Sequence, residues 1–214
     1  MNIHVYYHMY CVNDCIERFS KTYQKIQLSG LIEACSSIQV VLSGPNIGLV
    51  VDAIINLPKV NIVIGETNVN GESNTLSLIH QHSLNFPADK ILYLHSKGVT
   101  KNLSQNIVAW VDYMEYFLIE KYKVCLNELE NHETVGVEYY EKPMKHYSGN
   151  FWWANCSYIN KIPSLSEGIK NSIIPDPRWY CEFWLLQYST SPCCLHRSGV
   201  DLYGTKYTRD KYTI

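Results

Sequence analysis

IQVVLSGPNIGLVVDAIINLPKVNIVI, residues 38–64, is the stretch that decides the fold. Its first part, Ile38-Gln39-Val40-Val41-Leu42, has strand character and is stopped by Ser43-Gly44-Pro45. Residues 47–57 read as a helix that ends before Pro58, and Val60-Asn61-Ile62-Val63-Ile64 resumes the strand pattern. Upstream, Ile3-His4-Val5-Tyr6-Tyr7-His8-Met9-Tyr10 is a first strand. Residues 13–29 follow as a helix, with Ile16, Phe19, Tyr23 and Ile26 on one face and Gly30 to close it. Strand, helix, strand, helix, strand at this spacing predicts right-handed crossovers and a largely parallel sheet. Three strand ends then share one edge, with His8 and Tyr10 bordering the crevice beyond it.

Downstream, a polar, glycine-punctuated segment from Gly65 to Ser73 leads to a helix over residues 74–85 and then to Ile91-Leu92-Tyr93-Leu94-His95-Ser96-Lys97-Gly98. In open α/β sheets, ligands bind beyond the carboxyl ends of the strands, where loops aim polar groups over a rigid floor. His95 and Lys97 alternate along the strand, so both face that crevice while Ser96 turns away. A cation and an imidazole beside a flexible glycine suit a phosphate-bearing ligand; a buried strand followed by a solvated turn is the plainer alternative. Residues 105–130 keep a helical apolar period from Ile107 to Leu129, a long amphipathic helix covering one side of the sheet. Val135-Gly136-Val137-Glu138-Tyr139-Tyr140 returns to strand character.

The 214 residues, 46% hydrophobic, predict one domain with a sizeable core. A net charge of −2 leaves no basic footprint and argues against nucleic acid as a partner. The first strand begins by Ile3, so no signal peptide is expected, and no apolar run approaches the ~20 residues that span a bilayer. The eight cysteines show no paired CxxC spacing and read as thiols of a reducing compartment, the cytoplasm, which is the host's if the source is viral.

Two stretches in the second half carry candidate chemistry. In Tyr147-Ser148-Gly149-Asn150-Phe151-Trp152-Trp153-Ala154, adjacent tryptophans of a strand point to opposite faces. Either one packs in the core and the other is available to a sugar ring, or both are buried between layers. Gly149 permits close backbone approach. In Ile173-Ile174-Pro175-Asp176-Pro177-Arg178-Trp179-Tyr180-Cys181-Glu182-Phe183-Trp184, a helix starts near Pro177 with Asp176 as its N-cap. Arg178 and Glu182 either pair on that helix's surface or put a carboxylate into a cleft, where it can polarise an acceptor hydroxyl. The tail from Tyr203 onward carries Lys206, Arg209 and Lys211, either folding over a diphosphate or lying free.

These residues carry a family resemblance. Ile91 to Gly98 resembles the LHTK segment of rhamnan-synthesis F-type glycosyltransferases and of related transferases from large DNA viruses, among them the capsid-glycosylating enzymes of chlorella viruses. It lies where GT-A transferases usually carry Asp-x-Asp. Asn70-Gly71-Glu72 is similar to the family's Glu-Asn-x-Gly loop, and Gly149 to Trp153 to its Gly-x-x-Phe-Trp segment. Glu182 matches the Glu before its closing segment. Cys194 to Gly199 resembles its His-x-x-Glu-Arg end, with His196 and Arg197 adjacent here.

The resemblance implies one GT-A (Rossmann-like) α/β domain over residues 1–214, a mostly parallel mixed sheet flanked by helices. Residues 1–100 would bind a nucleotide-sugar and residues 101–214 a glycan acceptor. The implied activity moves a rhamnose-like deoxysugar or glucose from a UDP-linked donor. Donor-binding residues would be His8, Tyr10, Glu66, Asn70, Gly71, Glu72, His95, Ser96 and Lys97, and acceptor-binding residues Gly149, Asn150, Trp152 and Trp153. Catalysis would fall to Glu182, with Asp176 as the other carboxylate and Arg178 as orienter. Either Lys97 alone neutralises the diphosphate, or Mn²⁺ or Mg²⁺ does so, bound through the diphosphate oxygens with His95, Glu72 or His196 helping. A non-catalytic carbohydrate-binding module or a nucleotide-binding regulator are the alternatives.

Overall fold

Strand β1 (Ile3–Tyr10) is buried along most of its length and lies inside the sheet, as its unbroken apolar and aromatic run demands. The computed structural model describes residues 1–65, 71–99, 104–174 and 176–213. After β1 come α1 (Cys15–Leu28), α2 (Leu31–Ala34), β2 (Ser37–Ser43), α3 (Ile47–Ile54), β3 (Val60–Ile64), α4 (Gly71–Asn85) and β4 (Lys90–His95). The second half holds α5 (Gln105–Glu115), a π-helical turn (Tyr116–Glu120), α6 (Tyr122–Glu128), β5 (Thr134–Gly136), β6 (Tyr139–Tyr140), β7 (His146–Tyr147), β8 (Trp152–Asn155), α7 (Cys156–Ile159), α8 (Leu165–Asn171), α9 (Pro177–Phe183) and β9 (Pro192–Cys194).

The expected fold class is found. Seven strands form one sheet in the order β3-β2-β1-β4-β8-β5-β9, and β6 and β7 make a separate hairpin. The pairs β1–β2, β2–β3, β1–β4 and β5–β9 are parallel. Strand β8 runs antiparallel between β4 and β5, opposing Trp153 to Leu92 and to Val135. Side-chain alternation divides the core into two layers. Tyr7, Leu92, Leu94 and Trp153 pack in the layer that includes Phe19 of α1 and Trp110 and Met114 of α5. Tyr6, Ile91, Tyr93 and Trp152 pack on the other side with residues of α4, α7 and α9.

Both tryptophans of β8 are therefore core, Trp152 being 1% exposed and Trp153 0%. The expected availability of one ring to a sugar is corrected, because helices cover both faces of this interior strand. Each indole N–H is also satisfied inside the protein, Trp152 by Asn150 Oδ1 at 3.1 Å and Trp153 by the Leu118 carbonyl at 2.8 Å.

The single long helix expected over residues 105–130 is broken into α5, the π turn and α6. Its buried residues Trp110, Met114, Leu118 and Tyr122 advance in four-residue strides. Each stride overshoots an α-helical turn by about 0.4 residue. The wider π turn absorbs the drift and returns Leu118 and Tyr122 to the core side. The strand expected over residues 135–140 is likewise interrupted, at Glu138, whose φ is +52°. All eight cysteines are free thiols, six of them buried. Burial pushes Cys11 and Cys156 up to about 12, so these thiols act as small hydrophobes rather than nucleophiles. No helix among the described residues is long and apolar enough to cross a membrane.

Candidate functional site at the carboxyl edge of the sheet

Glu72, in the first turn of α4, is the hub of a polar cluster at the carboxyl ends of β1 and β4. Its Oε2 accepts hydrogen bonds from the Asn150 amide at 3.0 Å and the Tyr93 hydroxyl at 3.2 Å. Its Oε1 lies 4.0 Å from His95 Nδ1. His95 Nε2 lies 2.9 Å from the Gly149 carbonyl, which can only accept, so Nε2 carries the proton and Nδ1 turns a lone pair toward the carboxylate. Burial works against ionisation of Glu72. The His95 and His8 imidazoles beside it, the Asn150 amide and the Lys97 cation outweigh it and hold the carboxyl below its usual range. Burial also lowers His95, and Lys97 adds to that, so the imidazole is neutral at pH 7.

The backbone that presents these groups is specialised. Gly149 and Asn150 have φ of +97° and +57°, a left-handed pair that turns the chain into β8. Asn150 is 3% exposed and its amide also reaches the Cys181 carbonyl at 3.4 Å. At Gly71 a side chain would stand 2.6 Å from His8 Cε1, so only glycine lets α4 start against β1.

His8 is 4% exposed and bonded to Thr75 at 3.2 Å, with Ser43 at 3.4 Å. Burial pushes its pKa down to about 4. It supports the cluster from beneath, which corrects its expected place in direct donor contact. Ser96 is also inward: its hydroxyl accepts the Tyr10 N–H at 2.9 Å and ties the ends of β4 and β1 together. Tyr10 is 37% exposed at the strand end. Lys97 stacks its ammonium 4.0 Å from the centre of the Trp110 ring, and the Lys97 carbonyl accepts from Arg18 of α1. Arg18 Nη2 is buried without a hydrogen-bond partner. His95, Ser96, Lys97 and Arg18 line one end of a groove of about 1170 Å³ that runs between α1 and α5 to the carboxyl-terminal tail. Glu66 and Asn70 lie outside the described residues.

The domain family of unknown function DUF8361 matches residues 6–172. The chain belongs to that family. No curated protein matches. One solved structure, the manganese complex of Rv0371C from Mycobacterium tuberculosis H37Rv, is similar over 79% of this chain and 80% of its own, with TM-score 0.41 and 10% identity. The DUF8361 match contains the whole Glu72, His95 and Asn150 cluster and stops before α9.

Of the catalytic expectations on α9, Asp176 is an exposed N-cap whose Oδ1 accepts the Arg178 N–H at 2.9 Å. Among the described residues no ion pair joins Arg178 to Glu182. Glu182 is exposed on the same short helix, close enough for its charge to act on Tyr93 and His95. Trp179, one turn earlier, is 62% exposed, a ring that sequence patterning hid inside an aromatic run.

His196 does not join His95. Its Nδ1 meets the Tyr113 hydroxyl at 2.9 Å and its ring stacks on Phe117, which corrects the expected metal pair. Tyr207 and Tyr212 of the tail pack on the same aromatic group, and Arg209 pairs with Glu120 and Asp112 of the helix beneath. The tail thus covers α5 rather than lying free. Among the described residues, two groups are spaced to hold a metal ion: His4, His82 and Asp89, and Glu128, His132 and Cys193. Sequence inspection finds neither, since each draws its members from separate elements.

Proposed function

We propose that this DUF8361 chain is a glycosyltransferase that uses a nucleoside-diphosphate sugar, with the donor at the carboxyl edge of the sheet and a glycan acceptor beside α9. The observation that carries the reading is an ionised carboxylate, Glu72, set against a neutral imidazole where the parallel strands end, with the cations of Lys97 and Arg18 at the mouth of the adjoining groove. Departure of a nucleoside diphosphate needs positive charge beside the leaving group, which two side-chain cations or a divalent ion supply. Glu72 Oε1 and His95 Nδ1 are two acceptors 4.0 Å apart, an arrangement suited to a Mn²⁺ or Mg²⁺ ion bridging to the diphosphate. A UDP-linked deoxyhexose or glucose is the donor class proposed from the motif resemblance.

The acceptor platform moves from the buried tryptophans of β8 to Trp179, with Glu182 three residues on as the carboxylate that takes the hydroxyl proton. Incubation with a panel of nucleotide-sugars, followed by release of free nucleotide, tests this reading. Donor hydrolysis or transfer is expected, and Glu182→Gln should retain the fold while losing about 10²–10⁴-fold in the rate of transfer to acceptor. A carbohydrate-binding module would bind glycans through Trp179 yet neither bind nor turn over any nucleotide-sugar, and that result would overturn the proposal.

A further inference from the structure

At the amino-terminal edge of the sheet, away from the Glu72 cluster, three side chains from separate elements converge. His4 comes from β1, His82 from the last turn of α4 and Asp89 from the turn before β4. Asp89 is 5% exposed, and its Oδ1 is taken by the Asn2 N–H at 2.7 Å. Its Oδ2 lies 3.3 Å from His4 Nε2 and 3.5 Å from His82 Nε2. Neither approach has the geometry of a hydrogen bond: both Nε2 atoms are buried without one. Two buried nitrogens aimed at one carboxylate oxygen, within ion-pair range of it but without a well-formed hydrogen bond, suit a third partner shared among them.

The spacing fits a metal ion, the three ligand atoms lying within 4.8 Å of one another. Nitrogen and oxygen ligands about 2.0–2.2 Å from a tetrahedral ion stand roughly 3.3–3.5 Å from one another. These are the separations of Asp89 Oδ2 from the two imidazoles. His4 Nδ1 lies 2.8 Å from Ser37 Oγ, and when its N–H donates to that hydroxyl the Nε2 lone pair is turned toward Asp89. The His82 ring is wedged against Phe86 and His4, with centroids at 5.0 and 4.6 Å, so its direction is also set.

We propose that His4, His82 and Asp89 bind a single transition-metal ion of the Zn²⁺ class, with one coordination position left for water. Two imidazoles and one carboxylate favour such an ion over Mg²⁺ or Ca²⁺, which prefer all-oxygen shells. The ion fastens the start of β1 to the α4–β4 turn. It is independent of any ion at Glu72 and of the transferase reading.

Metal-stripped full-length chain titrated with Zn²⁺ by calorimetry, and with Co²⁺ by visible absorption, tests the site. One ion bound at this site is expected, with a rise in Tm and the ligand-field bands of four-coordinate Co²⁺, both lost with its ligands. Asp89→Asn and His82→Gln, checked for native circular dichroism, should each weaken binding at least about 100-fold, since loss of a mere outer-shell partner already costs 10–100-fold. His132→Ala, in the Glu128, His132 and Cys193 group, should leave it unchanged. Absence of heat and of any Tm shift at excess Zn²⁺ overturns the proposal, and so does binding that survives Asp89→Asn and His82→Gln or is lost only in His132→Ala.

Discussion

Asn150 bonds both to the site carboxylate and to a core tryptophan, and does so from a left-handed backbone. Asparagine tolerates that backbone better than most residues, and its amide donates to Glu72 while its carbonyl accepts from Trp152. Asn150→Ala removes these bonds, together with the one to the Cys181 carbonyl, and keeps the strained φ, so urea unfolding should show a loss of about 1–3 kcal/mol. Asn150→Gly removes the same bonds but relaxes the backbone, and should recover about 1 kcal/mol of that loss. If the two variants are equally stable, the left-handed turn is not strained. At this scale sequence reading was partial. Glu72, His95, Gly149 and Asn150 were legible as polar groups at strand ends and turns, and they do meet. His8 and Ser96 were expected as ligand contacts, and both also bond within the protein, because a strand's last polar residues can equally be tied to its neighbours, which only the pairing reveals. Which of Trp152, Trp153 and Trp179 is exposed depends on which elements cover them, and no local pattern encodes that.

Among the elements, the packing of α1 against α5 shows how ionic groups are used below the surface. Lys25 donates to Asp112 at 2.6 Å and to Glu115 at 2.8 Å, and Glu115 also accepts from Thr22. Glu115 is 3% exposed, so it depends on these partners. Lys25→Met keeps the aliphatic stem but strands the Glu115 carboxylate. The expected loss in urea unfolding is about 2 kcal/mol, between the values for surface and fully buried pairs. A double mutant with Glu115→Leu should regain much of it; failure to do so would show that Lys25 acts mainly through its stem. The helices themselves were legible because their apolar periods are local. The π turn was not, because it answers to a drift in register against the sheet.

For the whole molecule, acid is the weak side. Burial pushes His8 down to about 4 and also lowers His82 and His95, so these rings fold neutral. Asp89, Asp112 and Glu133 have folded values below their ordinary range despite burial, because hydrogen bonds hold them ionised, with the Lys25 and Arg209 charges adding at Asp112. In every case the folded pKa is depressed. The stability they contribute is fully present above the unfolded values, about 6.5 for histidine and about 4 for carboxylates, and is lost as pH falls through the folded ones. The urea midpoint should therefore fall continuously from pH 7 to pH 4; a flat profile would mean that the rings are solvated. The parallel first half of the sheet could be read from sequence, since each crossover is local. The insertion of β8 between β4 and β5 could not, because antiparallel pairing across such a distance leaves no periodic trace. That insertion governs the order of events on the ribosome. Strand β4 is complete at His95, but the partner that covers its open side, Trp152–Asn155, emerges about sixty residues later. At about 5–20 residues per second the nascent chain carries an unpaired strand edge for roughly 3–12 s. During that interval the growing chain offers any passing β-strand a template, so its yield in cells depends on translation speed and chaperone occupancy as much as on the stability of the finished fold.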